Sequence, residues 1–400
     1  MRILNITNAI PYPLVSGAPI RSYNLIRRFA KDHDVYLAAF TEREDQSKEI
    51  AHLSEFCRRV ITVERRSTST LPLLKNLMNW PLKGGPAELR LSFSNKFAEA
   101  IHHLVHDVDF DVIQIEHGSM GLYLEAIPRA MRKKAIWVLH DIDFDKFEKI
   151  SLIEKNVNRK IREWIHSKTM RQWQPHFAER FGLCVTMSEI DERLLVAANR
   201  RLKVEVSPNG VDTRQFQMMP EEEGENPAIL FIGNMSYLPN IDAAVHFCNA
   251  ALPLIRKKIS NVEFWIVGIN PGESVRSLAG DGVFVTGGVT DILPYYRRAR
   301  VCVVPLRVGS GTRLKILEAM AMGRPVISTS IGAEGLDIVN GKHIAIADDS
   351  AAFAEKVIEL LTNHTLRASF IKEARENVVA NYDWDVIARR MLLVFETLGH

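Results

Sequence analysis

Residues 304–334, VPLRVGSGTRLKILEAMAMGRPVISTSIGAE, gather side chains that could hold a phosphorylated ligand. An apolar run, residues 301–305, leads into Gly309-Ser310-Gly311. A helix is expected from about Thr312 to Met322, closed by Gly323, and Pro325 then opens the strand PVIST. Glycines let a backbone come close, free N–H groups point outward, and a helix N-terminus favours negative charge. Arg313 and Lys315 put two cations at that helix start, where the dipole disfavours them, and a bound diphosphate would offset the cost. Glu318 lies among Leu317, Ala319, Met320 and Ala321, and a carboxylate on so apolar a stretch needs a partner. Taken alone, the stretch reads equally well as an ordinary capped helix carrying one salt-bridged glutamate.

Histidines mark two further places. VIQIEHGSM ends in Glu116-His117-Gly118, and AIWVLHDIDFD ends in His140-Asp141. A histidine at a strand end is often a polar cap. Two of them at the ends of adjacent parallel strands would face the ligand-binding side of a doubly wound sheet. HHLVH places His102 and His106 four apart, a spacing that can bind metal, beside His103. No cysteine or acid stands at a matching spacing, so these read as a solvated helix face and no metal site is expected.

The elements that must carry these groups follow from the apolar rhythm. ILNIT, VYLAAF, VITV, VIQIEH, AIWVLH and LCVTMS read as strands between helical patterns, and AILFIG, VEFWIVG, VFVTGG, VCVVPL and PVIST repeat that alternation after residue 206. The expectation is α/β, two Rossmann-like units of doubly wound parallel sheet. One unit spans 1–206. A second spans 207–383 after the turn Pro208-Asn209-Gly210, and a helix at 384–400 returns to the first. Residues 65–95 lose the rhythm: Leu73, Leu74, Leu77 and Trp80 mix with Lys75 and Lys83, a basic apolar insert that could lie on a membrane, form a lid or pack on the core.

The 400 residues are 46% hydrophobic and 25% charged, the composition of a soluble globular protein, and are enough for two domains with cores of their own. No apolar run reaches membrane-spanning length, and MRILNITNAIPYP reads as a first strand rather than a signal peptide. Cys57, Cys184, Cys248 and Cys302 are scattered, as expected of buried thiols in a reducing compartment. Residues 1–210 carry 32 Lys and Arg against 26 Asp and Glu, an excess that could face an anionic membrane or acceptor, or simply water.

GSGTRLKILEAMAMGRPVIST, IGNMSYLPNIDA, GGVTDILPYYRRARV and PNGVD together resemble family 4 glycosyltransferases of the GT-B fold. The resemblance implies two Rossmann-like domains facing across a crevice. It also implies transfer of a sugar from a UDP- or GDP-sugar, with retention at the anomeric carbon and without metal or other cofactor. Glu318 would bind the donor ribose, and His140 would lie near the transferred sugar. Gly17, Gly233, Asn234, Gly309, Ser310, Gly311, Thr312, Arg313 and Lys315 would line the donor site, with Ser16, His117 and Asp141 on the acceptor side. The family's first motif glutamate, eight positions before Glu318, is Ser310 here. Where many relatives carry a diphosphate-clamping Arg and Lys, this chain has Asn234, Met235 and Asn240, and Arg313 and Lys315 are the cations that could substitute.

The likeness is strongest to bacterial exopolysaccharide sugar transferases. The implied partners are the nucleotide-sugar and a glycan or lipid-linked acceptor, with membrane contact through 65–95 and no nucleic acid. The implied location is the cytoplasm or the inner face of the cell membrane. Ser310 also keeps open a nucleotide-sugar-binding protein without transferase activity. A nicotinamide-dependent oxidoreductase would need G-x-G-x-x-G after the first strand, which is missing.

Overall fold

The computed structural model describes all residues except 15–16, 43–44, 66–85, 87–88, 91, 155, 221–225, 310 and 399–400. Ser16, Ser310 and most of the 65–95 insert therefore lie outside the described residues. The chain divides into unit 1, residues 1–208 with 387–400, and unit 2, residues 209–386.

Unit 1 is built on seven parallel strands: β1 (Arg2–Thr7), β2 (Asp34–Thr41), β3 (Arg59–Glu64), β4 (Val112–Glu116), β5 (Ala135–Leu139), β6 (Leu183–Thr186) and β7 (Val204–Val206). Their order is β3-β2-β1-β4-β5-β6-β7, so the winding reverses between β1 and β4. VIQIE and AIWVL are buried at every position, as strands covered by helices on both faces must be. The helices among the described residues of unit 1 up to 208 are α1 (Gly17–Phe29), α2 (Ser47–Ser54), α3 (Asn95–Asp107), α4 (Asp143–Ile153), α5 (Val157–Ala178) and α6 (Glu189–Ala198). Between β4 and β5 the chain crosses in two 3₁₀ segments, Gly118–Ala126 and Arg129–Lys134. Trp137 on β5 is fully buried and stacks on Phe181 with ring centroids 4.9 Å apart. Arg21, completely buried on α1, donates to Pro208 O at 2.7 Å and Ser207 Oγ at 3.0 Å, tying α1 to the chain that leaves β7.

Unit 2 repeats the plan with six strands: β8 (Ala228–Ile232), β9 (Glu263–Val267), β10 (Val283–Val285), β11 (Val301–Val304), β12 (Val326–Ser328) and β13 (Ala345–Ile346). The order β10-β9-β8-β11-β12-β13 reverses between β8 and β11. Its helices are α7 (Leu238–His246), α8 (Leu252–Arg256), α9 (Glu273–Arg276), α10 (Leu293–Arg298), α11 (Leu314–Ala321), α12 (Ser350–Thr362), α13 (His364–Asn381) and the start of α14 (Trp384–Leu398). From Ile387 onward α14 belongs to unit 1, where Phe395 meets Phe29 edge-on at 5.3 Å. Arg324 is 3% exposed and donates to carbonyls: Tyr296 at 2.7 Å, Met219 and Pro220 each at 3.0 Å. The clamp fixes the end of α10. Among the described residues no helix is long and apolar enough to cross a membrane.

Ligands in doubly wound sheets bind beyond the strand ends where the winding reverses. In unit 2 those ends carry Gly233, just after β8, and the Gly309–Gly311 loop after β11. Gly268, after β9, has φ +158°, and a Cβ there would lie 1.6 Å from Gly233 O. The bare Cα of Gly268 thus lets the Gly233 turn close down on β9. Gly268→Ala should lower the stability of the chain by about 3 kcal/mol in urea melts. Gly272→Ala, where a Cβ meets nothing within 4 Å, should stay close to wild type. Equal midpoints for the two variants would contradict this account of the turn.

Candidate functional site

At the reversal point of unit 2, the glycine loop and α11 arrive as the sequence requires. Gly309 (φ +141°) and Gly311 (φ +76°) hold conformations that side chains resist. A Cβ on Gly309 would come within 2.5 Å of Arg313 Nη2, so the guanidinium lies directly against that backbone. Arg313 is 9% exposed, occupies the N-cap position of α11 and donates from Nη1 to Gly311 O at 2.6 Å. Thr312 Oγ1 accepts from Asn209 Nδ2 at 2.7 Å, tying the loop to the first turn of unit 2.

Lys315 is the centre of this cluster. Its Nζ donates to Asn240 Oδ1 at 3.0 Å and sits 4.6 Å over the Phe231 ring, and a Cβ on Gly233 would meet it at 2.9 Å. Asn240 in turn donates from Nδ2 to Asn234 O at 2.9 Å, which shapes the loop after β8. Burial lowers the Lys315 pKa to about 7; Arg313 adds to the fall and Glu318 opposes it. The ammonium is thus held against a neutral amide and an aromatic face. One turn further on, Glu318 accepts from Tyr296 Oη at 2.9 Å. Burial raises the Glu318 pKa, against the Tyr296 hydrogen bond and the Lys315 charge. The partner that Glu318 required is a phenol rather than a salt-bridging cation. YYRRA gave no signal for that role, because only the fold turns Tyr296 toward α11.

Unit 1 carries a second cluster. β4 and β5 pair in parallel, with Glu116 opposite Val138, so their ends stand side by side. His140 Nε2 is 2.6 Å from Glu116 Oε2, which also accepts from Ser22 Oγ at 3.3 Å. Burial pushes the Glu116 pKa up, but the His140 hydrogen bond and the His140 and Arg21 charges outweigh it and hold the carboxyl below its usual value. His117 stacks on His140 with centroids 4.0 Å apart. Its φ is +78°, and its carbonyl accepts from Trp137 Nε1 at 2.9 Å. Burial, reinforced by His140, pushes the His117 pKa down to about 3. Both histidines line a cavity of about 350 Å³ with Asp141, Asp143, Lys146, Phe147, His166 and Met170. Asp141 pairs with Lys146 at 2.8 Å. Asp143 is pushed up to about 6 by burial and accepts from Gln174 Nε2 at 3.1 Å. Gly118 admits that carboxylate, because a Cβ there would fall 1.9 Å from Asp143 Oδ2.

The structure therefore collects the expected residues into two groups. Gly233, Asn234, Gly309, Gly311, Thr312, Arg313, Lys315 and Glu318 surround the reversal point of unit 2, and His117, His140 and Asp141 line one cavity in unit 1. Gly17 opens α1 as its first residue. Sequence reasoning missed the roles of Tyr296, Glu116, Asp143 and Lys146. Glu116 stood in plain view beside His117, whereas the α4 residues reach the cavity only through the packing of α4 and α5. His102 and His106 approach each other at 4.4 Å, and no group suited to hold a metal occurs among the described residues.

Lys315 yields a pH signature. Folding moves its pKa from 10.5 to about 7, so between those values the unfolded chain binds more protons and stability rises with pH. Below the lower value the burial penalty is complete. Lys315→Met should therefore melt higher than wild type by its widest margin at about pH 6. The margin should narrow as pH rises from 7 toward 10, and a margin independent of pH would contradict the placement of this ammonium.

Residues 15–215 match the family model for Glycosyltransferase Family 4, and residues 226–363 match that for Glycosyl transferases group 1. The phosphatidyl-myo-inositol mannosyltransferase of Mycobacterium leprae is 26% identical over 80% of this chain and 81% of its own length. A Mycobacterium tuberculosis protein named as a GDP-mannose-dependent alpha-(1-6)-phosphatidylinositol monomannoside mannosyltransferase is 30% identical, over 47% of this chain and 54% of its own. Among solved structures, sucrose-phosphate synthase from Thermosynechococcus elongatus superposes with a TM-score of 0.73 at 19% identity, covering 99% and 98% of the two chains. Anabaena HepE in complex with UDP and glucose gives 0.68 at 14% identity, covering 99% and 100%. Two reversing parallel sheets, and a family model that spans just over half the sequence, place the chain in glycosyltransferase family 4, as a glycosyltransferase of the GT-B fold.

Proposed function

We propose that this glycosyltransferase moves a sugar from a UDP- or GDP-sugar to a glycan or lipid-linked acceptor in cell-surface polysaccharide biosynthesis. Transfer retains the anomeric configuration and uses neither a metal nor another cofactor. The observation that carries the reading is the Lys315 ammonium, half-buried against the Gly233 turn and hydrogen-bonded to a neutral amide. The mycobacterial relatives' names, which specify phosphatidylinositol-type acceptors and in one case GDP-mannose, support the choice of donor and acceptor class.

In this reading Lys315 and Arg313, with the N–H groups of the glycine loop, take the diphosphate and stabilise charge as the sugar–phosphate bond breaks. Ser310 occupies the motif position of the missing acid. Glu318, fixed by Tyr296, accepts hydrogen bonds from the ribose hydroxyls. In unit 1 the Glu116 carboxylate orients His140, so the imidazole can hold a sugar or acceptor hydroxyl, with His117 stacked beside it and Asp141 at the rim. The acceptor oxygen bonds to the anomeric carbon on the face the diphosphate leaves, and the departing phosphate oxygen takes its proton. Gly17, at the start of α1, belongs to the donor side and Ser16 to the acceptor side. Membrane contact through 65–95 belongs to the same reading, as does a place at the inner face of the cell membrane.

Ser310 in place of the acid supports one other reading, a nucleotide-sugar-binding protein without turnover. Transfer to any acceptor excludes it. The direct test is a melting-temperature screen against UDP, GDP, ADP, CMP, dTDP and NAD, where a ligand at about 100 times its Kd adds roughly 2.7 kcal/mol of stability. Stabilisation by UDP or GDP should vanish in Glu318→Ala. His140→Ala should keep it while slowing transfer about 100-fold. Indifference to every nucleotide would sink the proposal.

A further inference from the structure

α5 has two unlike faces. Ser167, Met170, Gln174 and Phe177 are buried, with Ser167 Oγ donating to Phe144 O at 2.7 Å and closing α5 onto α4. Across the helix, Val157, Ile161, Trp164 and Ile165 recur at the spacing of a single apolar stripe, yet they are 67%, 51%, 52% and 52% exposed. Leu152, 70% exposed near the end of α4, lies on the same hairpin. An apolar stripe turned outward on an otherwise well-buried unit is built to meet something.

The charges around the stripe say what it meets. α5 carries Arg159, Lys160, Arg162, Lys168 and Arg171 against one carboxylate, Glu163, which is 9% exposed and accepts from Arg162 Nη2 at 2.5 Å. Lys160 and Arg162 flank the stripe on opposite sides by helical position, and Lys168 Nζ lies 5.9 Å over the Trp164 ring. The first turn of α5 has no acid, so its positive end adds to the field of Arg159 and Lys160. A second copy of this chain would bring like charges together on this face. Glu148 of α4 pairs with Lys168 at 3.1 Å and Arg171 at 2.7 Å, so the positive field is concentrated at Arg159 and Lys160 near the start of the helix. Apolar residues with a tryptophan beside such cations are the composition that settles at the surface of an anionic bilayer.

We infer that the outward stripe of α5, with Leu152 of α4, docks the protein on an anionic lipid surface. These residues are not those of the 65–95 insert, and the docking does not depend on which sugar is moved. The same two helices supply Asp143, Lys146, Phe147, His166 and Met170 to the wall of the unit 1 cavity. Docking therefore puts that cavity on the element that touches lipid.

The test is sedimentation of the full chain with phosphatidylcholine vesicles, with and without phosphatidylglycerol. Wild type should bind the anionic vesicles at least tenfold more tightly than the neutral ones, and less tightly as salt is raised. Ile161→Ser with Trp164→Ser should lose about tenfold or more, and Arg159→Glu with Lys160→Glu about as much, at roughly fivefold per cation. All four side chains are exposed, so both variants should melt as wild type does. Equal binding of wild type and the Ile161/Trp164 variant overturns the inference. So does binding lost only on replacing Leu73, Leu74 and Leu77, which places the contact on the insert. A dimer in solution that the Ile161/Trp164 variant dissociates assigns the stripe to a second copy and overturns it equally.

Discussion

The Lys315 ammonium, drawn in against the Gly233 turn and hydrogen-bonded to Asn240, is the constraint on which the second unit's site depends. An ammonium is costly to remove from water, and neither an amide oxygen nor an aromatic face restores what water gave. The fold accepts that cost through several independent devices. Gly268 lets the turn close, Phe231 lies beneath the charge, and α11 sets Lys315 on the face that looks at β8. Arg313 raises the local positive potential further, against the N-terminal dipole of its own helix. Two cations so close together at the reversal point of a parallel sheet make an arrangement that binding an anion would relax.

The first unit solves the opposite problem. Glu116 is an anion sunk at the end of β4, and the fold surrounds it with donors: His140, Ser22 and the charge of Arg21. A buried carboxylate that orients an imidazole leaves that ring pre-aligned, so little ordering remains when a hydroxyl arrives. Asp143, on the other wall of the cavity, is pushed up to about 6 and is therefore near its titration point at neutral pH. Two buried carboxylates a few residues from one histidine pair thus shift in opposite directions: burial prevails at Asp143, whereas the His140 hydrogen bond and the His140 and Arg21 charges prevail at Glu116.

Most of the framework could be read in the residues. Continuous apolar runs such as VIQIE, AIWVL and VCVV name buried parallel strands, and the glycines before α11 name a turn that opens a helix. Two strands escaped: VEV, Val204–Val206, sits in a stretch that reads as a turn between domains, and Ala345–Ile346 is too short to show a pattern. Partners across sequence escaped as well. Nothing local links Tyr296 to Glu318 or Gln174 to Asp143, because those pairs exist only once helices pack. The exposed stripe of α5 was hidden for a related reason. Its apolar residues follow the period of a buried face, and only tertiary packing decides which of the two faces of a helix turns inward.

The central claim is that Lys315 waits, partly deprotonated, for a diphosphate. Calorimetry of nucleoside diphosphate binding at about pH 8, repeated in buffers of different ionisation enthalpy, counts the protons exchanged on binding. With a free-state pKa of about 7, a bound diphosphate should raise it and draw close to one proton onto wild type. Lys315→Met should bind more weakly and take up correspondingly fewer. Equal proton uptake by the two proteins would mean that this lysine does not meet the phosphates, and the account of the site would fail.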